Sequence, residues 1–259
     1  MSPNWPPLVR EEYEYWEKEN QCLNAGTLNT QLKLNSKTRF IEERPPCFFA
    51  GRIGLSKMLL ISLNPGYKGK RKEVEFEVFN ERGWEETYLT FFDWFEKRGL
   101  SSQYYSRFAV FLSGYLGYES YPTKRQQRYE LLEKNLINMD LIPYHSRSFT
   151  NRVLKQGPLL ELYVDNLKEM IELADPEIVF LNGSIYSRFL PLLNISLFDE
   201  ESYLVNSKHN RRVKVGLGSL GKGRQLVWFQ NFLTGASLAA TNDNLFRLGK
   251  DLRVQVEVQ

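Results

Sequence analysis

Four short apolar runs, each halted by a polar residue or a turn, constrain this chain more than any other feature. The first is Leu59-Leu60-Ile61-Ser62-Leu63, which runs directly into Asn64-Pro65-Gly66. The second covers 136–142 and stops at Pro143, and the third covers 177–182 and ends in Gly183-Ser184. The fourth is the latter half of a hairpin, with 211–217 and 224–232 as its strands, and Asn231 closes it. Unbroken apolar character over such lengths suits strands buried on both faces, as in a parallel sheet. Proline lacks an amide donor and glycine accepts positive φ, so Asn-Pro-Gly ends its strand abruptly. In open α/β sheets, ligands sit beyond the carboxyl ends of such strands.

Helical patterns fill the intervals. Residues 6–20 read as a helix with Leu8, Tyr13 and Trp16 on one stripe, and 85–98 as another with Tyr88, Phe91, Phe92 and Phe95 inward. Further helices are expected over 103–116, 124–135, 158–174 and 241–252, with a short one from Ser184 to about Leu192. The polar stretch 26–36 reads as a surface loop, 69–84 as a long functional loop, and 196–214 as a long polar segment. The alternation of strands and helices predicts an α/β fold, a three-layer α/β/α sandwich around a mostly parallel sheet. One domain over 1–259 is expected, with 1–43 as an N-terminal helical and loop extension.

Composition narrows the function. The chain has 259 residues, is 42% apolar and carries a net charge of +3, ordinary for a globular protein. No apolar run approaches the ~18 residues that cross a bilayer, and the N-terminus has no secretory h-region. Two cysteines, Cys22 and Cys47, and two histidines offer neither a disulfide framework nor a metal site. A cytoplasmic protein with reduced thiols and no cofactor is expected. Basic residues cluster at 68–72, 124–128, 208–214 and 222–224. Each cluster alone is a solvated loop, but several beside strand ends would form an electrostatic footprint.

Two chemistries are set aside. Gly216-Leu217-Gly218-Ser219-Leu220-Gly221-Lys222 fits a phosphate-binding loop up to its lysine, but Gly223 stands where Ser or Thr should hold magnesium. The Leu226-Val227-Trp228-Phe229 that follows is a strand pattern rather than a helix, so a hairpin turn is expected. No Gly-x-Ser-x-Gly elbow occurs, and His145 and His209 are lone histidines. What remains is an ensemble of strand ends: Asn64, Asp140, Asn182 and Asn231. Amides and a carboxylate without a nucleophile suit recognition of a planar polar ligand and the placing of a water.

Pro46-Cys47-Phe48-Phe49-Ala50-Gly51, followed by the strand into Asn64-Pro65-Gly66, resembles the uracil-DNA glycosylase superfamily in its Asn-Pro-Gly branches. Asn138-Met139-Asp140-Leu141-Ile142-Pro143-Tyr144 is similar to the family's second strand, whose terminal Asn reads the flipped base. Pro176-Glu177-Ile178-Val179-Phe180-Leu181-Asn182-Gly183-Ser184 is similar to its third. The likeness spans roughly 44–252. The last family motif, His-Pro-Ser or a relative, is replaced by Gln230-Asn231-Phe232-Leu233-Thr234-Gly235-Ala236-Ser237, with Asn231 as the positional match. Too few cysteines are present for the iron–sulfur branches.

The resemblance implies a monofunctional DNA glycosylase with DNA as partner and with no membrane, metal or iron–sulfur cluster. Oligomeric state is left open, with a monomer as the working expectation. Asn64 would position the attacking water, and Asn231 would hold the base or its leaving group. Pro65, Gly66, Tyr67, Phe76, Phe79, Asp140 and Asn182 would line the base pocket. Lys68, Lys70, Arg71, Ser184, Lys222, Arg224 and Ser237 would meet DNA, and Leu233 or Leu238 would fill the gap left by the flipped base. An ionised Asp140 only accepts hydrogen bonds, so it suits a base with an exocyclic amine, such as a modified cytosine. Bacterial antiviral enzymes that excise glucosylated 5-hydroxymethylcytosine from phage DNA are one such class. The competing expectations are a non-catalytic DNA- or nucleotide-binding module, a uracil-excising repair enzyme and, more remotely, a nucleotide hydrolase using the glycine-rich turn.

Overall fold

The computed structural model describes residues 3–66, 72–149, 157–183, 191–206, 211–230 and 241–257. Within the described residues the chain forms a mixed α/β fold built on one seven-stranded sheet. Its elements run α1 (Pro7–Glu19), α2 (Leu23–Gln31), β1 (Phe49–Ala50), β2 (Met58–Ser62), α3 (Lys72–Leu89), α4 (Phe91–Lys97), α5 (Gln103–Tyr115) and α6 (Arg125–Asn135). They continue as β3 (Leu136–Asp140), α7 (Gly157–Ala174), β4 (Ile178–Asn182), β5 (Ile195–Asn206), β6 (Arg211–Leu220), β7 (Arg224–Phe229) and α8 (Asn242–Glu257). Strand order is β1-β3-β2-β4-β7-β6-β5. Strands β3, β2, β4 and β7 are parallel, while β1, β6 and β5 add antiparallel edges.

The apolar runs become the parallel strands because both of their faces are covered. Leu59, Leu60 and Ile61 are fully buried, and all five residues of β3 and of β4 are buried. On one face, Phe108, Phe111 and Tyr115 of α5 meet Phe180 edge-on at 5.4–5.6 Å between ring centroids. Helix α8 then packs on α5 at near backbone contact. A Cβ on Gly114 would stand 2.0 Å from the Phe246 carbonyl oxygen, and one on Gly249 would stand 2.2 Å from that of Phe111. Glycine at the crossing is therefore a steric requirement.

Several expected loops are ordered elements. Residues 26–36 belong in part to α2, whose weak intrinsic helix formers are rescued from a distance. The buried Glu12 carboxylate of α1 accepts the Leu23 and Asn24 amides at 3.0 and 2.9 Å, filling the cap position of the helix. Residues 72–89 form α3, which changes direction at Gly83 (φ 74°). It turns Glu75, Val78 and Phe79 inward. The expected helix over 85–98 is split, with α3 ending at Leu89 and α4 starting at Phe91. The segment 196–214 is mostly the strand pair β5–β6, held by the alternation of buried Val213 and Val215 with Arg212 and Lys214. The hairpin turn shortens to residues 221–223, and Gly216 and Gly218 lie inside β6. The expected helix after Ser184 lies outside the described residues.

The N-terminal helices share the main core. Trp5 stacks on Phe49 at 4.7 Å, Tyr13 on Trp84 at 4.3 Å, and Tyr13 meets Phe48 edge-on.

Register aligns one row of residues across the sheet. Asp140 pairs with Ser62, the adjoining Ile61–Leu181 pair places Asn182 next in the row, and Asn182 pairs with Phe229, which pairs with Val215 and then Glu201. Beyond this row the four core strands stop, but β6 continues through residues 214–211, whose ladder partners among the described residues belong to β5, while the Gln230 amide donates to the Lys214 carbonyl. At about 3.3 Å per residue, this two-stranded ribbon overhangs the carboxyl ends of the parallel strands by roughly 13 Å.

Candidate active site at the strand ends

The chain leaves β2 for β3 on one side and then crosses back to β4 on the other. The carboxyl end of β2 is therefore a topological switch point, where α/β sheets open a crevice. Asn64, Pro65, Gly66, Asp140 and Asn182 are all brought there. The site has two layers, a polar strip on the α5 side and the Asn-Pro-Gly loop above it.

Alternation along the strands puts Asn138 and Asp140 on one face of β3, with Ser62 opposite on β2 and Asn182 in the same row of β4. The Asn138 amide donates to Asp140 Oδ2 at 3.3 Å, and the Ser62 hydroxyl donates to Asn138 Oδ1 at 3.4 Å. Tyr104, in the first turn of α5, places its hydroxyl against Ser62 Oγ and hydrogen-bonds Asn182 as well. Burial pushes the Asp140 carboxyl from its ordinary 3.8 up to about 8, against a smaller downward pull from the Asn138 hydrogen bond. Near neutral pH it is mainly protonated. This corrects the expectation of an acceptor-only carboxylate, because a neutral carboxyl donates from one oxygen and accepts at the other.

Above the strip, the β2 and β3 loops are tied together. The Asn64 side-chain amide donates from Nδ2 to Ser146 Oγ at 2.8 Å and to the Tyr144 carbonyl at 3.2 Å. Gly66 bridges to Ser146, and the Ser146 amide donates to the Pro65 carbonyl at 3.4 Å. With Nδ2 committed to these acceptors, Oδ1 is the end of the amide that can accept from a water. Beneath the loop, His145 lies with Nδ1 3.4 Å from the Gly66 carbonyl and Nε2 3.9 Å from Glu75 Oε1. Glu75 forms a buried ion pair with Arg44 and receives the Tyr88 hydroxyl at 3.5 Å. A buried polar cluster from three distant segments, with the Arg44–Glu75 ion pair at its centre, thus underlies the loop that presents Asn64.

Other expected site residues lie elsewhere. Phe79 is buried against Trp16 at 4.6 Å, and Phe76 packs on the same indole at 5.2 Å. Both belong to the aromatic core under α1, which corrects their assignment as stacking surfaces for a base. Lys222 and Arg224 sit at the amino end of β7, at the opposite end of the parallel strands from Asn64 and Asp140. Arg224 pairs with Glu172 at 2.6 Å and Asp175 at 3.4 Å, and Lys222 also pairs with Glu172. These two basic residues clamp the hairpin to the end of α7, which corrects their assignment to DNA. The same placement removes the glycine-rich turn from the site. Tyr67, Lys68, Lys70, Arg71, Ser184, Asn231, Leu233, Ser237 and Leu238 lie outside the described residues.

Sequence reasoning passed over Tyr104, Asn138, Ser146 and the Arg44–Glu75–His145 cluster. For Asn138 a signal existed, since two-residue spacing puts it on the face of Asp140. Nothing local marks Tyr104 or Glu75, which reach the site through helix packing.

No protein-family model matches this chain, and no curated protein matches it. Among the described residues, no helix is long and apolar enough to cross a membrane. Nor does any group of three or more His, Cys, Asp and Glu side chains there form a metal site.

Proposed function

We propose that the chain is a monofunctional DNA glycosylase of the uracil-DNA glycosylase type, with a three-layer α/β/α sandwich as its scaffold. One observation carries this reading. Asn64, Asp140 and Asn182 converge at the switch point of the sheet, and the Asn64 amide is oriented by Ser146 and Tyr144. A flipped nucleotide enters the crevice with its base edge on the polar strip. A water accepted by Asn64 Oδ1 attacks the sugar carbon as the C–N bond breaks, and the bonding electrons pass into the base. An amide is too weak a base to deprotonate that water, so Asn64 acts by positioning. Once the water oxygen has bonded to the sugar carbon, its acidified proton passes to solvent, and the released base anion takes up a proton from solvent in turn. Protonated Asp140 donates to the ring edge that gains negative charge, stabilising the departing base.

The neutral carboxyl also broadens the substrate class. It complements any ring edge that sets a donor beside an acceptor, which includes the amidine edge of cytosine and the lactam edge of uracil. A modified cytosine, including the glucosylated 5-hydroxymethylcytosine of phage DNA, fits as one member, and uracil repair fits as another. The decisive assay offers oligonucleotides containing uracil, cytosine, 5-hydroxymethylcytosine or its glucosylated form and scores abasic sites. Product from at least one, lost in Asn64→Ala, is expected. Equal output from both proteins would remove the enzyme claim.

A non-catalytic DNA-binding module is the second reading. It is favoured by the tie from Asn64 to Ser146 and Tyr144, which also serves simply to join two loops. It predicts DNA binding without abasic product from any substrate.

A further inference from the structure

We infer that Glu12, on α1, is a positioning residue for Asn64 and acts on it through Tyr144. The inference rests on the glycosylase reading of the crevice and brings the N-terminal helices into its working parts. The Asn64 amide donates across to the β3 loop, at the Tyr144 carbonyl (3.2 Å) and at Ser146 Oγ (2.8 Å). Both of these acceptors lead back to Glu12.

The first route is direct. Tyr144 is fully buried, with its ring set edge-on to Phe40 at 5.8 Å and to Tyr163 at 6.0 Å. Its hydroxyl donates to Glu12 Oε1 and accepts from the Tyr163 hydroxyl at 3.2 Å. Tyr144 is thus held at both ends, by Glu12 at the hydroxyl and by Asn64 at the carbonyl. The second route passes through α2, the helix that Glu12 caps. From that helix, the Asn29 side chain donates to the Phe40 carbonyl at 2.9 Å and accepts from the Phe40 amide at 2.8 Å. Phe40 bridges to Ser146, and the Ile41 amide donates to the His145 carbonyl at 2.9 Å.

Glu12 itself has the chemistry of an anchor. Oε1 receives the Asn24 amide at 2.9 Å, Asn24 Nδ2 at 2.7 Å and the Tyr144 hydroxyl, while Oε2 receives the Leu23 amide at 3.0 Å. Convergent donors of this kind suit an ionised carboxylate, which only accepts. Burial pushes the carboxyl above its ordinary value, and the same hydrogen bonds pull it back down. A remote anchor matters because the placing of a water tolerates little error. A shift of about 1 Å caused far from the chemistry can cost about a hundredfold in rate.

The test measures single-turnover base release and half-saturating DNA concentration, using a substrate that the wild type processes. It compares Tyr144→Phe, Glu12→Ala, Glu12→Gln and Gly249→Ala. Tyr144→Phe breaks the tie and leaves Glu12 on its helix cap. Release at saturating DNA should slow about tenfold, with the half-saturating concentration unchanged. Glu12→Ala should lose at least as much. Glu12→Gln, whose oxygen can still meet the donors at the Oε1 position, should recover most of the rate. Gly249→Ala strains the α5–α8 crossing instead and should keep the wild-type rate below its Tm. In an Asn64→Ala background, Tyr144→Phe should cost nothing further, because its effect passes through that amide. The Asn64 side-chain amide resonances supply a readout apart from activity. They should shift in Tyr144→Phe and Glu12→Ala and stay in place in Gly249→Ala. Thermal unfolding verifies that each variant is folded, and Glu12→Ala serves if Tyr144→Phe is not. Product from the wild type with an equal rate in Tyr144→Phe would remove the positioning role alone, as would losses that add in the Asn64→Ala background. Absence of product from the wild type would remove the glycosylase reading and the positioning role together.

Discussion

Asp140→Asn offers the sharpest test of the site, because it replaces a buried protonated acid with a neutral group of the same shape. In the folded chain burial holds the Asp140 carboxyl at about 8, whereas unfolded it titrates near its ordinary 3.8. Between those values the unfolded chain binds fewer protons at this position than the folded one. Stability conferred by the protonated form is thus complete below the unfolded value, falls as pH rises through the window, and is flat above about 8. The fall is roughly 1.4 kcal/mol for each pH unit. The substituted amide does not titrate, and its oxygen still accepts from Asn138. The variant's stability advantage should therefore grow by about 3 kcal/mol from about pH 5 to about pH 7 and level off beyond pH 8. For a chain of this size that corresponds to roughly 6–12 °C in Tm. Urea unfolding of both proteins at three pH values measures the difference, and other titrating groups largely cancel in it. A difference independent of pH would show that Asp140 is ionised in the fold, and the neutral-carboxyl reading of the site would fall.

Base release should decline as pH rises through about 8, where Asp140 loses its proton, and Asp140→Asn should flatten that limb of the pH–rate profile. Asn64→Ala should cut release by about a hundredfold or more in single-turnover assays. It should also cost about 1–3 kcal/mol in urea unfolding, through the loss of its bonds to Ser146 and Tyr144. Glu75→Gln removes the partner of buried Arg44 and should destabilise by about 3 kcal/mol or more, read from the urea midpoint. Gly114→Ala forces a methyl against the Phe246 carbonyl oxygen and should lower stability by about 2–3 kcal/mol, with a visible drop in Tm.

The sheet's core was legible because burial on two faces leaves a local mark. The runs ending at Asn64, Asp140 and Asn182 are β2, β3 and β4, and α5, α6 and α7 start and stop within about two residues of their sequence patterns. Failures came where a distant residue decides. Helix α2 depends on Glu12, eleven residues before its first turn, and α3 turns Glu75 inward to meet Arg44. The ionisation of Asp140 depends on how completely the fold encloses it, a quantity that composition does not carry. Arg224 looked like a DNA ligand because strand direction, which sends it to the end of the sheet away from the crevice, is fixed only by the assembled sheet.

The glycine crossing of α5 and α8 has a consequence for how this scaffold can change. Close backbone contact at Gly114 and Gly249 fixes the place of α8 against α5. At the other end, the Gly183 amide bonds the Phe229 carbonyl and the Gln230 amide bonds that of Lys214, so β7 is fastened too. Strand β7 and helix α8 are thus each held by contacts among the described residues. Any redesign of α8 must keep glycine at both positions of the crossing, because a side chain at either would push the helix away from α5 and open the layer that covers Phe180.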